Sequence, residues 1–378
     1  MRDGMSAVSV GSAVRMVLCG DVMTGRGIDQ ILPFPGDPVI YEPYLRSAKD
    51  YVRLAEERNG VIPKPVNFSY IWGDALFQLD RVDPDVRLIN LETSVTESRE
   101  YWRGKQIQYK MNPKNIPCIT AAKIDCCSLA NNHVLDWGYS GLEETLETLR
   151  KANLKFSGAG RNIDEAKSPA ILEVENKGRV VVFSLGSATS GVMRAWAASE
   201  DRSGVSFFDF SESFVLEVKK NVDEVKDQGD VVVASVHWGA NWGYDVPEEQ
   251  REFAHGLIDA AGVDLVYGHS SHHPKALEVY KGKLILYGCG DFLNDYEGIA
   301  GFEQFSGDLC LMYFVDLEVS TGRLLSLEMV PMQIRRFRLN NVMKADALWL
   351  RAVLEREVGK FGCHLEMKGD NTLSLKSS

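Results

Sequence analysis

Five of the seven histidines follow runs of aliphatic and β-branched residues: His133, His237, His269, His272 and His273. Asp21, Glu92 and Asn132 occupy the same kind of position. Oxygen and nitrogen donors of these types suit Mn, Fe or Zn. No thiolate belongs to the group, so a structural cysteine-rich zinc site is excluded. A bridging carboxylate flanked by imidazoles is what hydrolysis by paired metals requires: ions about 3.5–4 Å apart activate a water and clamp the leaving oxygen. Taken singly, each residue has a plainer role. A histidine after a strand can cap a helix, Glu92 can pair with a lysine, and Asn132 can serve a turn. The recurrence of such donors at loop after loop of one chain carries the metal reading.

The elements that must position these residues are short buried strands alternating with helices. Strands are expected over 14–19, 86–91, 124–129, 180–185, 231–236, 265–267 and 284–287, from their β-branched and aliphatic runs. The strands lead in turn to Asp21, to Glu92, to Asn132 and His133, to His237, to His269 and His272, and finally to Gly290 and Asp291. Helical spacing marks 72–79, 141–152, 211–228, 248–261 and 346–357. A Pro-rich excursion occupies 31–70, and two alternating strand patterns begin at Leu309. In α/β architecture the carboxyl ends of the strands form one rim, and ligands bind there.

Composition narrows the function classes. The chain has 378 residues, 45% hydrophobic and 25% charged, which excludes disordered and fibrous classes. The net charge of −11 repels phosphate backbones, so nucleic acid is not an expected partner. No stretch approaches the roughly 20 apolar residues of a membrane span, and Arg15 interrupts the mildly apolar beginning, which does not read as a signal peptide. Seven cysteines, none in a Cys-x-x-Cys pair, fit a reducing compartment, so a cytoplasmic location is expected. There is no Gly-x-Gly-x-x-Gly fingerprint, no Gly-x-Ser-x-Gly elbow and no cysteine beside the histidine loops. These absences argue against dinucleotide binding and against a covalent serine or cysteine nucleophile.

Several ordered motifs then carry a family resemblance. They are Gly20-Asp21-Val22-Met23-Thr24-Gly25-Arg26-Gly27, Asn90-Leu91-Glu92-Thr93, and Ala130-Asn131-Asn132-His133 through Gly138. They continue with His237-Trp238-Gly239, Pro247 with Gln250, Gly268-His269-Ser270-Ser271-His272, and Tyr287 to Phe292. From about Val14 to Asn294 the chain resembles the CapA family of poly-γ-glutamate capsule proteins, which is similar to calcineurin-like metallophosphoesterases. The resemblance implies a four-layer α/β/β/α sandwich over 14–300, with 301–378 completing the same domain. It implies one or two divalent ions held by Asp21, Glu92, Asn132, His237, His269 and His272, with Asp21 and His272 on the first ion, Glu92 bridging, and the others on the second. It implies that His133 gives up a proton or steadies the transition state. The chain departs from ordinary metallophosphoesterases in three places: no histidine follows Asp21 at the second position, Glu92 replaces an aspartate, and two residues separate His269 from His272.

Other residues have open readings. Asp136 either orients His133 or caps the helix near Gly141. Arg26 either holds an anionic substrate group or lies on the surface. Asp291 either supports a histidine or serves a turn, and His273 is an alternative to His272. Trp238, Trp242 and Tyr244 either wall the pocket or pack in the core. Arg99, Arg103, Lys105 and Lys110 either line a polymer groove or belong to a solvated loop. The leading expectation is a metal-dependent hydrolase acting on a γ-glutamyl amide or related anionic substrate, small or polymeric. The rival is an accessory protein of polyglutamate synthesis that binds polymer without turnover, or a metallophosphoesterase of another substrate. Oligomeric state is not legible.

Overall fold

A computed structural model describes residues 13–376. The residues before Ala13, on which part of the signal-peptide reading rests, lie outside that range. The strands that matter for the site are β1 (Ala13–Val22), β2 (Val86–Leu91), β3 (Cys126–Ser128), β4 (Lys155–Ser157), β5 (Gly178–Ser187), β6 (Val231–His237), β7 (Leu265–His269), β8 (Lys283–Leu286), β9 (Asp291–Leu293), β10 (Leu309–Glu318) and β11 (Leu324–Ile334). The longer helices are α1 (Ala48–Asn59), α2 (Ala75–Val82), α3 (Gly138–Lys151), α4 (Glu212–Val225), α5 (Glu248–Asp259) and α6 (Lys344–Gly359).

The fold is mixed α/β with two main sheets. In the ten-stranded sheet β1, β2, β3 and β4 run parallel, and β10 joins β1 from the other side in the antiparallel sense, followed by β11. In the seven-stranded sheet β5, β6, β7 and β8 run parallel. Alternation along each strand decides what faces what, because successive side chains point to opposite faces. Met16 and Leu18 of β1 cluster with Val180 of β5, Val233 of β6 and Tyr267 of β7, so apolar faces of the two sheets meet. Val17 and Cys19, one residue out of phase, cluster instead with Val52 of α1, Leu79 of α2 and Leu146 of α3. Val181 and Val232 do the same with Val218 of α4 and Leu257 of α5.

Two differences from the sequence reading bear on the site. The tail strands β10 and β11 add to the sheet of β1, and that sheet continues into two short strands, Leu365–Met367 and Leu373–Leu375, too brief to show a period. Asp291 does not end the strand over 284–287. It opens β9, which leaves the seven-stranded sheet of β8 and pairs with β1 in the other sheet. The turn between them depends on glycine. Gly290 has φ +81°, and a Cβ on Gly20 would lie 1.7 Å from the Gly290 carbonyl oxygen.

Candidate active site

The carboxyl ends of β1, β2, β3, β6 and β7 deliver Asp21, Glu92, Asn132, His133, His237 and His269 to one largely buried site. Asp21, His237 and His269 each place a donor atom within 4.8 Å of the others, and all three are buried. His237 Nδ1 and His269 Nδ1 meet at 2.7 Å. Asn132 Oδ1 lies 3.0 Å from His237 Nε2, and Glu92 Oε1 lies 3.8 Å from the same nitrogen. Five of the six expected metal ligands therefore converge.

The surroundings hold these groups in place. Asp21 accepts from Asn90 Nδ2 at 2.7 Å and from the Ser270 backbone N–H at 3.0 Å. Ser270 presents that N–H from φ +103°, a region a non-glycine residue adopts only where the surroundings impose it. Asn131 donates to Asn90 and to the Leu91 carbonyl and accepts from the His133 N–H, which ties the loop of β3 to that of β2. Asn131 thus serves the turn and also braces its neighbours.

Burial sets the charge states. It pushes His269 down to about 3 and His237 well below the usual imidazole range, the latter also repelled by His269. It raises Asp21 to about 7, with Asp291 adding repulsion, and lifts Glu92 well above the carboxylate range with Asp21 as the next cause. A cluster of neutral imidazoles, an amide oxygen and mutually repelling buried carboxylates fits a divalent ion on its donor chemistry. The facing nitrogens of His237 and His269 share at most one proton, so the other offers a lone pair.

His133 stands beside this cluster. Its Nδ1 lies 2.6 Å from Asp136 Oδ2, and its Nε2 lies 3.7 Å from Glu92 Oε1. Asp136 orients the ring and does not cap α3: the N-cap position of that helix is Trp137, with no side-chain cap bond. Burial pulls His133 down to about 4, so the ring is neutral near pH 7. With Nδ1–H given to Asp136, Nε2 turns a lone pair toward the cleft. Lys105, which sequence reasoning read with the loop cations, is the missed member of this group. Its ammonium bonds Asp136 Oδ1 and sits 2.9 Å from His133 Nδ1. Its place in an aperiodic loop gave no signal that it turns inward.

Other residues end elsewhere than expected. Arg26 is buried and spends all five donors internally: on Asp295 twice, and on Glu42, Tyr51 and Tyr109. None remains for an anionic substrate group, so Arg26 instead ties the excursion over 31–70 to the rim. His272 is outside the cluster, with Nδ1 2.9 Å from Asp291 Oδ1 and Nε2 2.9 Å from Asn241 Nδ2. His273 is no substitute. Its Nε2 accepts from the Gly243 N–H at 3.1 Å, and Trp242, Tyr244 and Phe305 enclose its ring. Trp238 is core, donating to the Tyr287 carbonyl, whereas Trp242 flanks His272. Lys110 lies over the Trp137 ring at 3.5 Å, so of the proposed groove cations only Arg99 and Arg103 stay exposed.

Comparison with known proteins adds a family. The model of the family described as bacterial capsule synthesis protein PGA_cap matches residues 15–296. A protein of Mycobacterium tuberculosis (strain H37Rv), described as a probable polyglutamine synthesis accessory protein, is 45% identical over 364 residues, 96% of each chain. The PGA biosynthesis protein CapA of Bacillus subtilis (strain 168) is 31% identical over 229 residues, covering 59% of this chain and 57% of its own. A crystal structure described as a novel phosphatase of Mycoplasma pneumoniae aligns with a TM-score of 0.47 at 11% identity, over 88% of this chain and 96% of that one.

Proposed function

Because this chain belongs to the PGA_cap family of bacterial capsule synthesis proteins, we propose that its cleft is a divalent-metal hydrolytic site acting on a γ-glutamyl amide or a related anionic substrate. The observation that carries this reading is the convergence of the Asp21, Glu92, Asn132, His237 and His269 donors beside an oriented, neutral His133. Those five residues would hold the ion, with Mn, Fe and Zn the suitable metals. A divalent ion supplies Lewis acidity to a substrate oxygen and acidifies water. His133 Nε2 takes a proton from the attacking water and gives it up to the leaving amide nitrogen, and Asp136 holds the Nδ1–H that keeps that lone pair outward. Lys105 neutralises Asp136 and closes that side of the site.

The same proposal covers architecture and place. The three apolar clusters are read as the seams of a four-layer α/β/β/α sandwich, with β10, β11 and α6 part of the one domain. Seven buried free thiols support a reducing compartment such as the cytoplasm.

The test is direct. Metal-loaded protein is incubated with poly-γ-glutamate, and separately with p-nitrophenyl phosphate mono- and diesters, with and without chelator. Chelator-sensitive chain shortening supports the proposal; phosphoester turnover alone overturns the amide assignment. The second reading, an accessory role in polymer synthesis, is favoured by the description of the Mycobacterium tuberculosis relative. Polymer binding with metal present and neither substrate turned over decides for it.

A further inference from the structure

A chain of hydrogen bonds begins at Arg26 and ends at Tyr296. The guanidinium can only donate. Its Nη2 bonds the Tyr109 hydroxyl oxygen at 2.8 Å, and that hydroxyl lies 2.9 Å from the hydroxyl of Tyr296. Tyr109 accepts from Arg26, so its own proton goes to Tyr296. The proton of Tyr296 is left with the thioether of Met23 at 3.7 Å, a weak acceptor. A donor strengthened by a guanidinium two links back is therefore nearly unspent.

The residues around the chain hold it in this order. Asp295 clamps Arg26 through Nε and Nη2, and the next residue, Tyr296, gives its backbone N–H to Asn294 Oδ1 at 3.1 Å. Glu42 and Tyr51, from the excursion over 31–70, fix Arg26 from the other side. Burial and the Asp291 carboxylate raise the Tyr296 phenol well above its usual range, against the pull of Arg26. The oxygen thus keeps its proton near neutral pH and stays a donor.

Tyr296 also stands where a substrate can meet it. Met23 lies two residues after Asp21. The Tyr109 ring meets His133 edge-on at 4.5 Å, and the Tyr296 ring meets His272 in the same way at 5.3 Å. Tyr296 is half-buried and walls a cavity of about 440 Å³ together with Trp242, Asn294 and Phe302. A space of that size suits a small ligand or one segment of a chain.

We propose that the Tyr296 hydroxyl donates a hydrogen bond to the substrate's carbonyl oxygen and stabilises the charge that develops there during hydrolysis. This rests on the hydrolytic reading above. Attack by water on the carbonyl carbon moves the C=O pair onto oxygen, where the O–H dipole meets it. No proton leaves Tyr296. As the C=O forms again, the C–N pair departs with nitrogen, which takes its proton from His133. Arg26, with no donor left for substrate, thus acts on it at one remove.

The test uses full-length, metal-loaded protein and poly-γ-glutamate. Tyr296→Phe deletes one oxygen and keeps the ring. Its kcat should fall by about 10²–10³-fold, as on loss of one oxyanion donor, with KM little changed and metal content equal to wild type. A phosphinate analogue of the γ-glutamyl linkage, tetrahedral and anionic at the scissile position, should lose affinity in parallel by isothermal titration. Tyr109→Phe cuts the link to Arg26 but leaves the Tyr296 hydroxyl, and should show a smaller loss in both measurements. Unchanged kcat in Tyr296→Phe, or a larger loss in Tyr109→Phe, overturns the assignment and leaves the hydrolytic reading standing. Should Tyr296→Phe not fold, Tyr109→Phe decides, and unchanged affinity for the analogue overturns the assignment. Wild type that leaves poly-γ-glutamate uncut overturns the amide reading itself, and this assignment with it.

Discussion

His133 and His237 lie in the same cleft but are held for different work. His133 is fixed through Nδ1 by Asp136 and points Nε2 toward Glu92, whereas His237 has both nitrogens turned to other donors of the cluster. His133→Ala should therefore lower turnover by about 10²–10⁴-fold with metal content unchanged, and His237→Ala should lose metal. Equal metal loss in both variants would show that His133 is a ligand. His273 makes a separate prediction. Its neutral ring accepts from the Gly243 N–H and gives its other N–H to the Pro274 carbonyl, and burial lowers it to about 4. An unfolded histidine takes its proton near pH 6.5. The unfolded chain thus binds the proton first as pH falls, so the native state loses stability between about pH 6.5 and 4. Denaturant unfolding across that window should show wild type losing ground to His273→Gln by up to about 1.4 kcal/mol per pH unit. Parallel curves would contradict this.

At the scale of elements, the site depends on where β1 and β9 touch. The Asp21 N–H donates to the Gly290 carbonyl at 2.9 Å, and Gly20 leaves the room for that approach. Gly20→Ala should cost at least the upper end of the about 1–3 kcal/mol typical of overpacking, and should weaken metal binding as Asp21 is displaced. A variant as stable as wild type in urea would show that the approach is looser than described. The strand ends that carry Asp21, Glu92, Asn132, His237 and His269 were legible because β-branched runs are short and each stops at a polar residue. β9 was not, since three residues show no period and no sequence signal marks a change of sheet. Arg26 and Lys105 were misjudged for a related reason. A cation in a loop reads as solvated, and only tertiary partners such as Asp295 and Asp136 reveal that it is enclosed.

For the whole molecule, seven cysteines are free and all are buried. Burial raises the thiols well above their usual range, for instance at Cys19 and Cys127, so they are inert as nucleophiles in the native state. A thiol titration should count seven in denaturant and close to none in native buffer. Disulfides in freshly purified protein would argue against a reducing compartment. No helix among the described residues is long and apolar enough to cross a membrane.

The position of β1 has a consequence during synthesis. One edge of β1 pairs with β2, whose residues begin at Val86, but the other pairs with β10, which starts only at Leu309. A ribosome adding about 5–20 residues per second leaves that edge open for tens of seconds after the first strand has emerged. Over that interval the nascent chain carries an unpaired, strongly apolar strand, the situation in which intermolecular pairing competes with folding. The donors of the site are divided in the same way, from Asp21 to His269, so a chain that stops short of β7 cannot hold the complete set. Yield on expression should then respond to translation speed and chaperone supply more than the stability of the finished fold would suggest.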